Sequence, residues 1–287
     1  MKQIVQAVPT GRFTGLLLLA VTSVLWSTNG VGIKWIDWHP IAIAGMRSGI
    51  AAVIIWLAFR HTPLRWTKAT LCGAMAYATL MFTFVGATKL TTAANAILLQ
   101  YTSPIYVAIL SALLLKEKPH RHDWLTIVAV GGGIILFFQD QMTTGGLAGN
   151  ILALVSGLAV AVMTVSMRME KDGSPHGAAL LGNTLAFFCA LPWMLDGSPN
   201  LAGWTVLGAL GIFQLGVPYV LYSIAIKQVT ALEAALVTVI EPILNPLWVI
   251  LLVGELPGPW SLVGGGIILT SLAARYVIPL LKRPGIG

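Results

Sequence analysis

The sequence predicts an all-α membrane protein with ten transmembrane helices in two inverted five-helix repeats, and three observations carry that expectation. First, the 287 residues are 57% hydrophobic and only 9% charged, with a mean hydropathy of +0.85. That is more apolar surface than one soluble domain can hide from water. Second, a membrane span takes about 20 apolar residues, so ten spans with short loops use nearly the whole chain. Third, Thr92–Glu117, TAANAILLQYTSPIYVAILSALLLKE, recurs 138 positions later as Thr230–Glu255, TALEAALVTVIEPILNPLWVILLVGE, with nine of the 26 pairs identical. Thr92/Thr230, Pro104/Pro242, Ile105/Ile243 and Glu117/Glu255 are among the identities, and two related halves are the simplest cause.

The charged flanks give the copies their directions. The first ends in Lys116, Lys118 and Arg121, whereas the second ends in Glu255 with no basic residue before Arg275. Lys and Arg collect in cytoplasmic loops, so the copies point opposite ways through the bilayer. Inverted repeats of this kind build many transporters.

The elements follow in order. Lys2 and Arg12 precede an apolar run from Phe13 past Trp26 to about Trp35, too long for a secretory signal and read as an uncleaved first span. Asp37, His39 and Pro40 turn into a second span, Ile41 to Phe59, closed by Arg60, Arg65 and Lys68. The third runs from about Ala69 to Thr88, and the fourth is the first repeat copy. A glycine-rich fifth, Trp124 to Phe138, leads to the polar outer loop 139–146, which joins a first half at 1–138 to a second at 147–287.

The second half opens with Leu147 to Met167, followed by the inner segment Arg168 to His176. Ala178 to Leu195 returns outward to Asp196–Asn200, and Gly203 to Ile226 comes back in to Lys227. The second repeat copy is the ninth span, and Trp260 to Val277 is the tenth. Thirteen of the 17 Lys and Arg fall in segments assigned to the cytoplasm, with Lys34 and Lys89 outside and Arg47 and Arg275 within spans. Both termini are thereby expected inside. The repeat also reaches backward, since Gly15–Lys34 lies on Gly149–Arg168 at an offset of 134, and the hexamer GGGIIL occurs at both Gly131 and Gly264.

In lipid, hydrophobicity does not mark a helix's buried face, so polar residues recurring at helical spacing are the useful signal. The ninth span carries Ala234, Thr238, Glu241, Asn245 and Trp248 on one face, and the fourth carries Ala96, Gln100 and Ser103. Pro104 and Pro242 sit mid-span, where each removes a backbone bond and frees a carbonyl one turn earlier. Either they kink helices for packing or they open backbone onto a cavity, and polar neighbours favour the cavity.

A carboxylate near mid-bilayer costs about 2.5 to 3.5 kcal/mol on insertion scales, so Glu241 is expected to face the interior, as a proton site or as a structural hydrogen-bonding group. Arg47 raises the same question in the second span; there, pairing with backbone carbonyls or snorkelling outward is favoured over a binding role. Trp26 and Asn29, Tyr77 and Met81, and Gln214 and Tyr222 share faces of the first, third and eighth spans. The candidate substrate-binding set is therefore Trp26, Asn29, Tyr77, Met81, Gln100, Ser103, Gln214, Tyr222, Thr238, Glu241 and Asn245. Glu241 doubles as the coupling candidate, and Arg47, Pro104 and Pro242 are structural or gating residues. Gly45 and Gly49 form a small-residue pair for close helix packing.

Other function classes have less support. The net charge of +7 and pI near 9.6 come from residues scattered in short loops, which suits membrane orientation rather than nucleic acid. Cys72 and Cys189 lie inside apolar runs, as packing residues rather than a disulfide or metal site. No metalloprotease, nucleophile-elbow or phosphate-loop motif occurs, so neither an enzyme nor a cofactor or metal is expected. A passive channel calls for rings of charge or a carbonyl filter motif, and neither is visible.

Ten spans in inverted halves, the Thr-Ala-Ala start and central Pro104 of the fourth span with Glu117 at its end, and the spacing of Lys34, Pro40 and Arg47 resemble the EamA-type members of the drug/metabolite transporter superfamily. Within it the chain resembles bacterial aromatic amino acid exporters. The resemblance implies export from the cytoplasm across the bacterial inner membrane by alternating access, through a central cavity of spans 1, 3, 4, 6, 8 and 9. The second half departs from the first, with Gly182 and Asn183 in the place of Arg47, and Gly254 and Pro257 in the places of Lys116 and Pro119.

Aromatic and thioether surface beside neutral hydrogen-bonding groups suits a zwitterion with a large apolar side chain. A multi-anionic ligand would call for several mid-membrane cations. The expected cargo is thus a small molecule, a neutral or aromatic amino acid, with hydrophobic cationic drugs as the alternative through Glu241. The lipid bilayer is the one required partner, and the sequence is compatible with a monomer.

Overall fold

The structure is a computed structural model that describes residues 11–28, 32–33, 35–91, 93–139, 146–242, 244, 259–272 and 274. Regular structure among them is helical. Helix α1 covers Arg12–Trp26, shorter than the expected run to Trp35. The chain turns at Ser27 and Thr28, whose hydroxyls bond back onto the carbonyls of Val24 and Leu25, at 2.6 and 2.8 Å, in keeping with the competition such side chains offer to helix bonding. Helix α2 is Pro40–Phe59, its proline in the first turn where no amide is missed and His39 accepting from the Ile41 amide. Helix α3 is Lys68–Leu90, capped by Thr67.

The fourth span is broken. It forms α4a, Ala93–Gln100, then a turn at Tyr101–Thr102, then α4b, Ser103–Leu110, which ends in a π-helical turn at Ser111–Leu115. Pro104 sits in the first turn of α4b, where it starts a helix rather than merely bending one. Helices α5, Arg121–Phe138, α6, Leu147–Met169, and α7, His176–Met194, are continuous. The eighth span passes from α8a, Leu201–Ala209, through a π-helical stretch, Leu210–Gly216, into α8b, Val217–Ala225. Pro218 lies four residues after Gln214, so a regular ladder would fail there, and the wider turn absorbs the mismatch. Helix α9 is Ala231–Val237, with a reciprocal Thr230–Glu233 cap, and α10 is Pro259–Leu272.

Five of these segments, Pro40–Phe59, Lys68–Leu90, Leu147–Met169, His176–Met194 and Leu201–Ala225, are long and apolar enough to cross a membrane. Polarity is arranged accordingly. Leu17, Val53, Trp56, Met75, Leu113, Val128 and Phe213 are exposed, whereas Thr22, Ser23, Arg47, Ser48, Ser103, Asn183, Gln214, Thr238 and Glu241 are buried, as suits a chain solvated by lipid. Cys72 and Cys189 lie on the exposed surface, so neither is the packing residue expected of it.

The principal packing contacts come in matched sets. Helix α3 packs on α6 as α8b packs on α1, α2 packs on the eighth span as α7 packs on α3, and the fourth span packs on α6 as α9 packs on α1. The pairs α2/α7, α4b/α9 and α5/α10 join helices of equal rank in the two halves. Glycines permit the closest of these approaches: a Cβ on Gly45 would stand 2.2 Å from that of Ala190, and one on Gly133 would stand 2.7 Å from Ile268. The two GGGIIL hexamers thus meet between α5 and α10.

The connections separate into two ends. At one, the Arg65 amide donates to the Ser174 hydroxyl, Thr67 donates to Glu170, Lys227 donates to the Gly173 carbonyl and the Gly11 amide donates to Gln228. At the other, Lys89 donates to the Ile36 carbonyl, Thr91 bonds Asn150, Trp38 meets Trp204 in a tilted ring contact and His39 stacks on Trp193.

Candidate functional site

The core of the bundle holds a small, partly open cavity of about 60 Å³ lined by Trp26, Arg47, Leu80, Met81, Phe84, Gln100, Gln214, Leu215, Tyr219 and Glu241. It draws on α1, α2, α3, the α4a break, the π-helical stretch, α8b and the residues beyond α9. Three local constructions shape it. The first centres on Arg47, only 1% exposed. Its Nη1 donates to Gln214 Oε1 at 3.2 Å and its Nη2 approaches Met81 Sδ at 3.7 Å. Gln214 reaches it because the π-helical stretch rotates that residue's side chain toward α2, on which the stretch packs.

The second construction is aromatic. Tyr219 is 5.2 Å from Trp26, 4.7 Å from Tyr77 and 6.2 Å from Tyr222, ring centre to ring centre. These tilted and edge-on contacts form a polarizable wall. The Tyr222 hydroxyl exchanges a hydrogen bond with Thr164 at 3.0 Å.

The third joins the two proline breaks. The carbonyl freed one turn before Pro242 belongs to Thr238, and the Tyr101 hydroxyl donates to it at 2.8 Å while also lying 2.6 Å from Glu241 Oε2. One phenol proton cannot serve both acceptors fully. When the Glu241 carboxyl carries a proton, carboxyl to phenol to carbonyl becomes one complete chain of donors. The counterpart carbonyl, that of Gln100, faces Gly157 of α6, where a Cβ would stand 2.8 Å from its oxygen.

Of the candidate residues, Trp26, Met81, Gln100, Gln214 and Glu241 line the cavity. Tyr77 and Tyr222 stand one layer back, in ring contact with lining residues. Ser103 and Thr238 are buried without reaching the wall. Pro104 and Pro242 are buried beside the breaks they cause. Asn29 and Asn245 lie outside the described residues, as do Lys34, Trp248, Gly254, Glu255, Pro257 and Arg275. Arg47 neither snorkels outward nor bonds backbone carbonyls, because α3, α7 and the eighth span enclose α2.

Sequence reasoning missed Tyr101, Tyr219, Leu80 and Leu215, and it left Phe84 out of the candidate set although helical spacing puts it on the face of Tyr77 and Met81. Tyr101 had a usable signal, since it sits between Gln100 and Pro104 in the first repeat copy. Tyr219 had one too, as the residue after the intramembrane Pro218. Leu80 and Leu215 had none.

A second and larger space, about 590 Å³, lies at the end of the molecule where the Gln228–Thr230 turn sits, lined by residues that include Arg12, Glu117, Lys118, Asp123, Arg168 and Glu233. Two ion pairs cross it. Arg12 Nε donates to Glu233 at 2.7 Å, and Arg168 Nε donates to Glu117 at 2.8 Å. Glu117 also accepts from the Ala231 amide, and Arg168 also donates to the Ile226 carbonyl, so α4b, α6, the eighth span and α9 are tied at one point. Nearby, burial pulls the Lys227 ammonium below its ordinary pKa, with Asp172 opposing.

Membrane-length helices that turn apolar faces outward and enclose a small polar and aromatic chamber, with a charged vestibule at one end, define a multi-pass membrane transporter. The EamA-like transporter family matches residues 13–139 and again 147–275. The chain belongs to that family. It is 26% identical over 265 residues to an uncharacterised transporter of Archaeoglobus fulgidus, covering 91% of this chain and 96% of that one. It is 23% identical over 247 residues to the threonine/homoserine exporter RhtA of Escherichia coli, covering 82% of each. It is 25% identical over 276 residues to the pseudopaline exporter CntI of Pseudomonas aeruginosa, covering 91% of this chain and 95% of that one. A crystal structure superposes with a TM-score of 0.77 at 17% identity, over 96% of this chain and all of the other, and shares its fold.

Proposed function

We propose that this chain is a secondary transporter exporting neutral amino acids with aromatic or large apolar side chains, by alternating access across a bacterial inner membrane. The wall of the central chamber carries the proposal. Trp26, Met81, Phe84 and Tyr219 offer polarizable surface, Gln100 and Gln214 offer neutral hydrogen-bonding groups, and one cation and one carboxyl complete it. Such a mixture matches a zwitterion with a ring. The relative named as a threonine/homoserine exporter supports amino acids as the cargo class.

At about 60 Å³ the chamber is far below the roughly 300 Å³ or more of a loaded small-molecule site. Loading therefore requires the helices to part, and the breaks at Tyr101–Thr102 and beyond Val237 are the natural hinges. Ten spans in halves 1–138 and 147–287 complete the proposed architecture, supported by the doubled family match and the matched packing pairs. The end bearing Arg12, Arg65, Lys118, Arg168 and Lys227 is the cytoplasmic one, by the clustering of basic residues, and both termini lie on that side.

Glu241 is the proposed coupling residue, exchanging its proton when the Tyr101 contact opens. The second reading, export of hydrophobic cations, draws on Glu241 as an acidic group in an aromatic wall. Proteoliposomes loaded with phenylalanine, tryptophan, threonine or a quaternary ammonium dye test both. Saturable counterflow of phenylalanine with no chemical change is expected. Transport of the dye with no competition by any amino acid overturns the amino acid proposal.

A further inference from the structure

We infer that Arg47 is the residue that receives the carboxylate of the transported molecule, so that a free carboxylate is required of any tight ligand of the central chamber; the inference rests on that chamber being the transport site. Arg47 is a guanidinium with five N–H donors, charged at any accessible pH, and it is buried to within 1% of completely. Its two hydrogen-bonding partners are an amide oxygen and a thioether, Gln214 Oε1 and Met81 Sδ. Neither bears a charge, and sulfur is a weak acceptor. Its Nε has no partner. The ion pairs among the described residues are Arg12–Glu233 and Arg168–Glu117, both in the vestibule.

A buried cation without a counter-charge is costly, and an arginine cannot relieve the cost by giving up its proton. A structural role would be served by an ion pair or by backbone carbonyls, and among the described residues Arg47 makes neither: the one carboxyl in its chamber, Glu241, is engaged by the Tyr101 hydroxyl instead. A second donor in the same wall is also unsatisfied: Trp26 Nε1 is buried with no partner. Two residues with idle N–H groups around one chamber call for a ligand rich in acceptors. The planar guanidinium fork matches a carboxylate through two parallel bonds, and the carboxylate would displace the Gln214 and Met81 contacts. A multi-anionic group would leave charge over, because Arg47 is the one cation lining the chamber. With the carboxylate held at α2, a ligand ring can reach the wall of Trp26, Phe84 and Tyr219.

Counterflow of labelled phenylalanine into proteoliposomes, with competitors that differ by one group, tests this. Phenylalanine and 3-phenylpropionate, which keeps the carboxylate and lacks the ammonium, are expected to compete. Phenylalaninamide, which lacks the negative charge, is expected to compete about ten-fold more weakly or worse. In Arg47→Gln the difference between the acid and its amide is expected to vanish, and in Arg47→Lys to survive in part. Equal competition by acid and amide in the unsubstituted protein overturns the inference and leaves amino acid export standing. That comparison needs no variant, so it decides even if Arg47→Gln fails to fold. If no amino acid is carried, the export proposal falls separately. Thermal unfolding in detergent then judges Arg47: stabilisation by 3-phenylpropionate and benzoate, absent with phenylalaninamide and lost in Arg47→Gln, upholds it, and no carboxylate-dependent shift overturns it.

Discussion

Tyr101 is the residue on which the two proline breaks meet, since its hydroxyl serves the Thr238 carbonyl and the Glu241 carboxyl together. Replacing it with phenylalanine keeps the ring and removes the donor. Tyr101→Phe is therefore expected to destabilise the protein by about 1 to 3 kcal/mol, read as a lower midpoint of thermal unfolding in detergent. A wild-type midpoint would mean that the contact does not hold the breaks together. Glu241→Gln keeps size and hydrogen bonding while fixing the proton count. It is expected to retain substrate competition while its transport rate no longer changes with pH, and full wild-type pH dependence would remove Glu241 from coupling. Glu241 was legible in the sequence because an acid in mid-span must face protein, but its partner was not. Tyr101 lies three residues before Pro104, and that spacing alone does not keep an aromatic from facing lipid.

At the scale of elements, close approach is set by glycines whose missing Cβ is needed. Gly45 sits where a Cβ would be 2.2 Å from Ala190, whereas Gly208 in α8a has nothing within 4 Å. Gly45→Ala is expected to cost about 1 to 3 kcal/mol by overpacking α2 against α7. Gly208→Ala is expected to be neutral or to stabilise by up to about 1 kcal/mol through helix propensity. Equal unfolding midpoints for the two variants would refute the α2/α7 packing. The sequence marked Gly45 and Gly49 as a packing pair through their spacing, and it marked the break at Pro104 through the proline's missing amide. It did not mark the π-helical stretch at Leu210–Gly216. There the chain reads as an ordinary apolar helix, and the irregularity shows only in how the backbone accommodates Pro218.

For the whole molecule, the Glu117–Arg168 pair joins the end of the fourth span to α6, the eighth span and α9. If it holds one end shut, loosening it should favour the state open to that end. Glu117→Gln and Arg168→Gln, singly and together, are expected to show a coupling of about 0.5 to 3 kcal/mol in a double-mutant cycle of unfolding. They are also expected to speed labelling of a cysteine placed at Leu232 in the vestibule. Additive effects with unchanged labelling would reduce the pair to an ornament of the surface. Orientation is checked with Leu64→Cys in a background lacking Cys72 and Cys189. An impermeant thiol reagent is expected to label it only from the cytoplasmic side, and labelling from outside would reverse the assignment.

The sequence by itself determined the membrane class, the repeat of Thr92–Glu117 in Thr230–Glu255 and the interior placement of Glu241, because apolar length, internal similarity and the cost of charge in lipid are properties of the chain alone. Only the tertiary structure decided that Arg47 faces Gln214 and Met81 in a chamber rather than a bilayer headgroup. It alone brought Tyr101 to Glu241 and made Tyr219 the centre of the aromatic wall. Helical spacing tells which residues share a face of one helix. It does not tell which way that face is turned, because lipid is as apolar as the core and removes the hydrophobic signal that orients a helix in water. The rotation of each helix, and hence the composition of the chamber, comes from packing between segments distant in the chain.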